Sequence, residues 1–229
     1  MRQLALDLKL SDYARLDTYF AGPNAPVVAA VQSAAAESGR QVHWIWGAEG
    51  SGRSHLLQAA VAAASERGFT CAWLPLAMDG IEASMLEGMG GLDLLCIDDV
   101  DRAAGDRAWE AALFAVFEEL RANEGRLLVT ASVPTAQAGF RLPDLASRLA
   151  SGPTWKLQTL SDDDRLHALQ LRAAWRGLEL SADVGRFLLR RTDRSSAALF
   201  GLLDRLDEAA LEEQRKLTVP FVKAVLANF

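Results

Sequence analysis

Residues 47–54 read Gly47-Ala-Glu-Gly50-Ser-Gly52-Arg53-Ser54. Glycines at this spacing let backbone N–H groups converge on phosphate oxygens, because residues without Cβ can turn tightly and approach a ligand closely. The segment follows an apolar run and opens a helical pattern, so a helix N-terminus would add partial positive charge to the same point. It matches G-x-x-x-x-G-K-[ST] at every fixed position but one, with Arg53 in place of lysine. Arginine keeps the charge but is larger, planar and forked. Binding of a di- or triphosphate is expected to survive this change, and fast hydrolysis of the bound nucleotide is not.

An acidic partner for this loop lies about 45 residues downstream, in Leu94-Leu-Cys-Ile-Asp98-Asp99. Four apolar residues form a buried strand with two carboxylates at its C-terminal end, where open α/β sheets bind ligands. Asp98 is expected to hold Mg2+ together with the hydroxyl of Ser54. Asp99 is expected to orient or deprotonate an attacking water. The run Leu127-Leu-Val-Thr130-Ala-Ser132 ends in hydroxyls. These either contact a γ-phosphate or satisfy backbone groups at a strand end, and both readings stay open.

The elements that must position these groups follow from hydropathy patterning. Apolar runs at 41–47, 70–76, 92–100 and 126–132 read as buried strands, with a fifth at 154–160. Helical patterns cover 54–67 and 106–122, the second with apolar residues at Ala112, Leu113, Val116, Phe117 and Leu120. Strands alternating with helices imply an α/β fold, a parallel sheet flanked by helices. After residue 160 the pattern becomes purely helical. Ser161-Asp-Asp-Asp164 is a capping-box-like start, and further helices are expected over 181–191, 195–214 and from Thr218 onward.

The net charge is −6, from 24 Lys plus Arg and 30 Asp plus Glu. Residues 1–160 carry 13 cations and 19 anions, and residues 161–229 carry 11 of each. Neither part has the clustered positive charge that grips bare nucleic acid. Two cysteines, Cys71 and Cys96, exclude a disulfide scaffold and point to a reducing, cytoplasmic setting. No run is long and apolar enough for a membrane span, so no membrane partner is expected.

The loop GAEGSGRSHLL, the strand LLCIDD, the stretch LPDLASRL (142–149) and an arginine opening a helix near residue 194 occur in one order. Together they resemble the AAA+ ATPases of the DnaA clade. The segment LDTYFAGPNAPVVAAV (16–31) is similar to the part by which that clade approaches adenine. The resemblance implies an AAA+ phosphate-loop core over 11–160 and a small all-α lid over 161–229. It implies ADP or ATP with Mg2+ as ligands, held by Gly47, Gly50, Gly52, Arg53, Ser54 and His55, with Tyr19, Phe20 and Asn24 toward the base. Ser132 and Arg194 would contact phosphates. The segment TASVP around Ser132 lacks an acidic residue often found there in the clade, a second reason to expect slow intrinsic turnover. The clade's trans-acting arginine corresponds to Arg148, which would insert into the ATP site of a neighbouring subunit.

Gln3-Leu4-Ala-Leu6-Asp-Leu8, within an extended peptide at 1–10, resembles the motif that docks on the bacterial replicative sliding clamp, its β subunit. Alternating Leu4, Leu6 and Leu8 share one side of an extended chain, which fits either a partner groove or a strand of the protein's own sheet. With QRKLTVPFVK near the C-terminus and no basic DNA-reading module expected, the pattern is most similar to the Hda family of DnaA-homologous regulatory inactivators. That resemblance implies a negative regulator of replication initiation. It would bind the clamp, reach DNA only through it, and stimulate hydrolysis of DnaA-bound ATP. An autonomous AAA+ ATPase and a DnaA-like recruiter of another replication protein are the alternatives. Self-association through the leucines into a homodimer or higher oligomer also stays open.

Overall fold

The structure is a computed structural model and describes residues 15–191, 196–213 and 216–227. Five strands form one parallel sheet: β1 (Gln41–Gly47), β2 (Cys71–Pro75), β3 (Leu94–Asp98), β4 (Arg126–Ala131) and β5 (Thr154–Leu157). Their spatial order is β2-β3-β4-β1-β5. Every residue of β3 and β4 is buried. That is why these strands read as continuous apolar runs rather than alternating ones. β4 lies between β1 and β3, so Trp44 pairs with Val129 while Ile97 pairs with the same residue from the other side. The loop after β1 and the carboxylates after β3 therefore face each other across the end of β4, at a point where the strand order reverses.

Helices cover both faces of the sheet. Trp44, Leu95, Ile97, Leu127, Val129 and Ala131 pack with Leu113, Val116, Phe117 and Leu120 of α3 (Arg107–Ala122) and with Leu145 and Leu149 of α4 (Pro143–Leu149). Ile45, Leu94, Cys96, Leu128 and Leu157 pack with α1 (Ala25–Ala36) and α2 (Arg53–Glu66). Asp106 caps α3, its carboxylate accepting the N–H groups of Ala108 and Trp109. The helices α1 and α4 are not among the elements expected from hydropathy. Each carries a proline in its first turn, a start signal available in the sequence.

A third apolar cluster, from Leu169 to Val225, is built by α5 (Asp162–Trp175), α6 (Ala182–Arg191), α7 (Ser196–Glu213) and α8 (Val219–Ala227). Ser161 and Asp164 form a full capping box at the start of α5. Inside this helical unit the buried Arg172 donates to both oxygens of Asp204, at 2.8 and 2.9 Å, and Arg176 donates to the same carboxylate at 2.6 Å. Asn24 donates to Gln158 O at 3.0 Å and accepts from Gln158 N at 2.7 Å, which ties the segment after β5 to the start of α1, and between the sheet side and the helical unit the Phe20 ring lies 5.8 Å from the His167 ring. Among the described residues no helix is long and apolar enough to cross a membrane.

Candidate functional site

Gly47 ends β1, and Arg53 begins α2. Between them Gly50 and Gly52 adopt φ of 74° and 94°, a left-handed conformation that favours glycine. A Cβ on Gly47 would sit 2.8 Å from Ser51 Oγ and 2.9 Å from Leu157 O, and one on Gly52 would sit 3.0 Å from the Tyr19 hydroxyl. The loop is thus packed too closely for any side chain at these two positions. Ser51 Oγ is buried and has no hydrogen-bond partner among the described residues. A buried hydroxyl left unsatisfied costs roughly 1–3 kcal/mol. A phosphate oxygen would satisfy it, so the loop fits the group its sequence implies.

The guanidinium of Arg53 lies over the loop. Its Nη1 donates to Gly47 O at 3.0 Å and its Nη2 pairs with Asp99 Oδ1 at 2.8 Å. Asp98 is buried, and its Oδ1 accepts a short bond from the Thr130 hydroxyl. The same hydroxyl accepts Asp99 N–H at 3.0 Å, fixing Asp99 at φ 54°. Thr130 is fully buried and serves the two aspartates, so it is a scaffold for the acidic pair and is not free to meet a phosphate. Burial, followed by the neighbouring charge of Asp98, pushes the Asp99 carboxyl above its ordinary value, against the opposing pull of Arg53.

Ser132 is exposed, and both its N–H and its hydroxyl donate to Asp101 Oδ2. Ser132 is therefore tied to the third of the strand-end carboxylates Asp98, Asp99 and Asp101. Sequence reasoning stops at the aspartate pair; the third carboxylate, two residues on, is the available signal. Ser54 is exposed in the first turn of α2, and His55 packs edge-on to Tyr19 with ring centroids 5.2 Å apart. Tyr19 is 9% exposed, and burial raises its hydroxyl pKa. It covers the loop at Gly52. Asn24 is buried with its amide fully engaged by the Gln158 backbone, so it fastens the segment after β5. Arg194 and the peptide carrying Gln3, Leu4, Leu6 and Leu8 lie outside the described residues. Arg191, three residues before Arg194, stacks on Phe187 at 5.5 Å.

Arg148 stands elsewhere. It is in the last turn of α4, and its Nε pairs with Glu118 Oε1 on α3 at 2.8 Å. Its side chain is 41% exposed. With Arg40, Arg121, His43 and Pro153 it lines a cleft of about 460 Å³ at the N-terminal ends of β1 and β4. The loop glycine ends the same β1 strand, six residues on, which is about 20 Å at the usual rise of a strand. Arg148 and the phosphate loop thus occupy opposite poles of one sheet. The entry to α4 is held by Glu110, buried in the first turn of α3, whose carboxylate accepts N–H groups from Gly105, Arg141 and Leu142. Neither Glu110 nor Glu118 stands out in the sequence, because the contacts that tie each to α4 or its entry are about 30 residues away.

Comparison with known proteins gives this arrangement its relatives. Residues 162–226 match the family model described as "Hda, lid domain". Domain III of the Thermotoga maritima replication initiation protein DnaA superposes with a TM-score of 0.77 at 20% identity, covering 96% of this chain and 98% of that one. AMPPCP-bound DnaA from Aquifex aeolicus gives 0.68 at 23% identity over 85% of this chain and 65% of that one. The Thermotoga maritima RuvB Holliday junction branch migration motor is similar at 0.59 and 14% identity, over 82% and 61%. At these identities the solved structures speak for the fold, and the lid match places the helical unit. The helical unit is thus similar to the lid of the Hda family, and the whole chain shares its fold, an α/β core with a helical unit, with domain III of DnaA.

Proposed function

We propose that the protein is a negative regulator of bacterial replication initiation. In this reading the peptide carrying Gln3, Leu4, Leu6 and Leu8 holds it at the sliding clamp, and Arg148 enters the ATP site of a DnaA subunit. The observation that carries the reading is the polarity of the sheet. Arg148 is half exposed and lines a cleft at the N-terminal end of β1, a strand of about 20 Å that has the phosphate loop at its other end, so it is placed to serve a neighbour's nucleotide and not its own. Head-to-tail contacts between unlike faces are the geometry that brings such poles together. Glu118 engages Arg148 through Nε, which leaves the two terminal nitrogens for bidentate contact with phosphate oxygens. A guanidinium there neutralises charge developing on the transferred phosphoryl, an effect worth about three to five orders of magnitude in rate.

At its own loop the chain is proposed to hold ADP or ATP as a conformational ligand, with Ser54 and Asp98 as hard oxygen donors for Mg2+. When bound, the nucleotide and its metal supply the charge that fixes the loop relative to Tyr19 and the lid. Intrinsic turnover is expected well below the ordinary enzyme range of about 1 s⁻¹. The free thiols of Cys71 and Cys96 accord with a cytoplasmic setting.

The test reconstitutes DNA-loaded clamp with ATP-bound DnaA and follows the nucleotide on DnaA. Wild type should convert it to ADP. Arg148→Ala should fold, bind clamp and fail to convert it. Gln3→Ala/Leu6→Ala should lose clamp binding and conversion together. Conversion that is indifferent to both variants would overturn the reading. Loss of clamp binding with no effect on DnaA nucleotide would favour a recruiter.

A further inference from the structure

The contact between Arg53 and Asp99 joins two elements that are not neighbours in the sheet. Arg53 follows β1 and Asp99 follows β3, with β4 between them. A pairing of 2.8 Å between their side chains therefore spans the crevice where phosphates would lie. The guanidinium is engaged at both ends, by Gly47 O and by Asp99 Oδ1, and its side chain is only 13% exposed. Thr130 holds the Asp99 backbone through its N–H, so the carboxylate is presented to Arg53 from a fixed point of the main chain. A planar fork can hold two such partners at once in fixed directions, which the compact ammonium of lysine does less well.

We infer that Arg53 and Asp99 form a latch across the nucleotide crevice, in which Asp99 and the phosphates of an incoming nucleotide compete for one guanidinium. The latch has two consequences. Nucleotide binding must break or weaken a close ion pair in a half-buried site, so Asp99 lowers affinity for ADP as well as ATP. While paired, Asp99 has an oxygen committed to Arg53 and is poorly placed to accept a proton from water. The substitution of arginine for lysine thereby ties slow hydrolysis and restrained nucleotide entry to one contact.

The inference rests on the loop binding adenine nucleotides, and the experiment separates the two. The full chain is titrated with a fluorescent ADP analogue in Mg2+ buffer. If wild type binds neither ADP nor ATP, the underlying reading fails. If it binds, Asp99→Asn should tighten ADP about five- to tenfold, since asparagine tolerates the left-handed backbone and removes the competitor. Removal of any negative charge near phosphate would also tighten binding, so the same substitution is made on Arg53→Ala. There the latch predicts a gain under about twofold, because no guanidinium remains to release. Arg53→Gln replaces Arg53→Ala if the latter melts early. An unchanged ADP affinity in Asp99→Asn overturns the latch. An equal or larger gain without Arg53 overturns it too, since that is plain charge repulsion.

Discussion

Two arginines at opposite poles of the sheet are each paired with a carboxylate, and the difference between the pairs separates their roles. Arg53 is 13% exposed, hydrogen-bonded to Gly47 O and ion-paired with Asp99, and that partner is 22% exposed. Arg148 is 41% exposed and held through Nε, with its partner Glu118 at 37%. An enclosed pair restrains the groups that form it, and leaving either one alone would strand a charge in a dry place. A half-exposed pair is worth at most about 1 kcal/mol and leaves its arginine available to something outside the molecule. The same side chain is thus turned inward at the nucleotide pole and outward at the other.

The largest effect expected on this contrast comes from Arg148→Ala. It should lower conversion of DnaA-bound ATP by about 10³-fold or more while the melting curve barely moves. A large loss of stability would instead make Arg148 a structural residue. The next effect concerns backbone packing at both poles. A Cβ on Gly152 would meet Val42 O well inside van der Waals contact, and one on Gly47 would meet Leu157 O at 2.9 Å. Gly152→Ala should cost about 3 kcal/mol or more and Gly47→Ala about 1–3 kcal/mol, compared by chemical denaturation. Only Gly47→Ala should also weaken ADP binding. Equal loss of ADP binding in both would erase the distinction between the poles.

Glu118→Ala should have a smaller effect. It removes the tether and not the guanidinium, so the trans rate should fall by about tenfold or less and stability by under about 1 kcal/mol. A drop as large as that of Arg148→Ala would mean that Glu118 itself meets the partner. The smallest effect is a pH dependence at the entry to α4. Burial raises the Glu110 carboxyl, but the N–H groups of Arg141, Gly105 and Leu142 outweigh it and hold the pKa below its ordinary value of 4.5. A depressed folded pKa contributes stability that is present above 4.5 and lost as pH falls through the lower folded value. Glu110→Gln should be less stable at neutral pH and should lose less on acidification across that window. Parallel acid melting curves for the two proteins would remove Glu110 from this role.

How far the sequence reaches can be judged from particular residues. The loop glycines, Arg53, and the Asp98–Asp99 pair are legible because each depends on a neighbour within a few positions: a strand before, a helix after, a turn that only glycine makes. The strand cores are legible because burial on both faces leaves no polar positions in the middle of β3 and β4. The third strand-end carboxylate, Asp101, is missed because its partner Ser132 follows another strand. Asn24 is placed toward the base by resemblance, yet its amide bonds the backbone of Gln158, 134 residues away. Arg126 shows the same limit. It opens an apolar strand run and carries no local signal, but it is buried, stacked on Phe69 at 4.4 Å, and donates to the carbonyls of Ala34 and Asp93.

By itself the sequence determined the alternation of strands and helices, the phosphate loop, the acidic strand end and the change to an all-helical pattern near residue 160. These are local properties, set by side-chain period, backbone permissiveness and capping. The tertiary structure alone decided that β4 enters between β1 and β3, which brings Arg53 within reach of Asp99. It also decided that α4 leaves Arg148 at the far end of the sheet, against Glu118. Strand order and the pole at which a helix ends are fixed by packing between residues distant in the chain, and no local pattern carries that information.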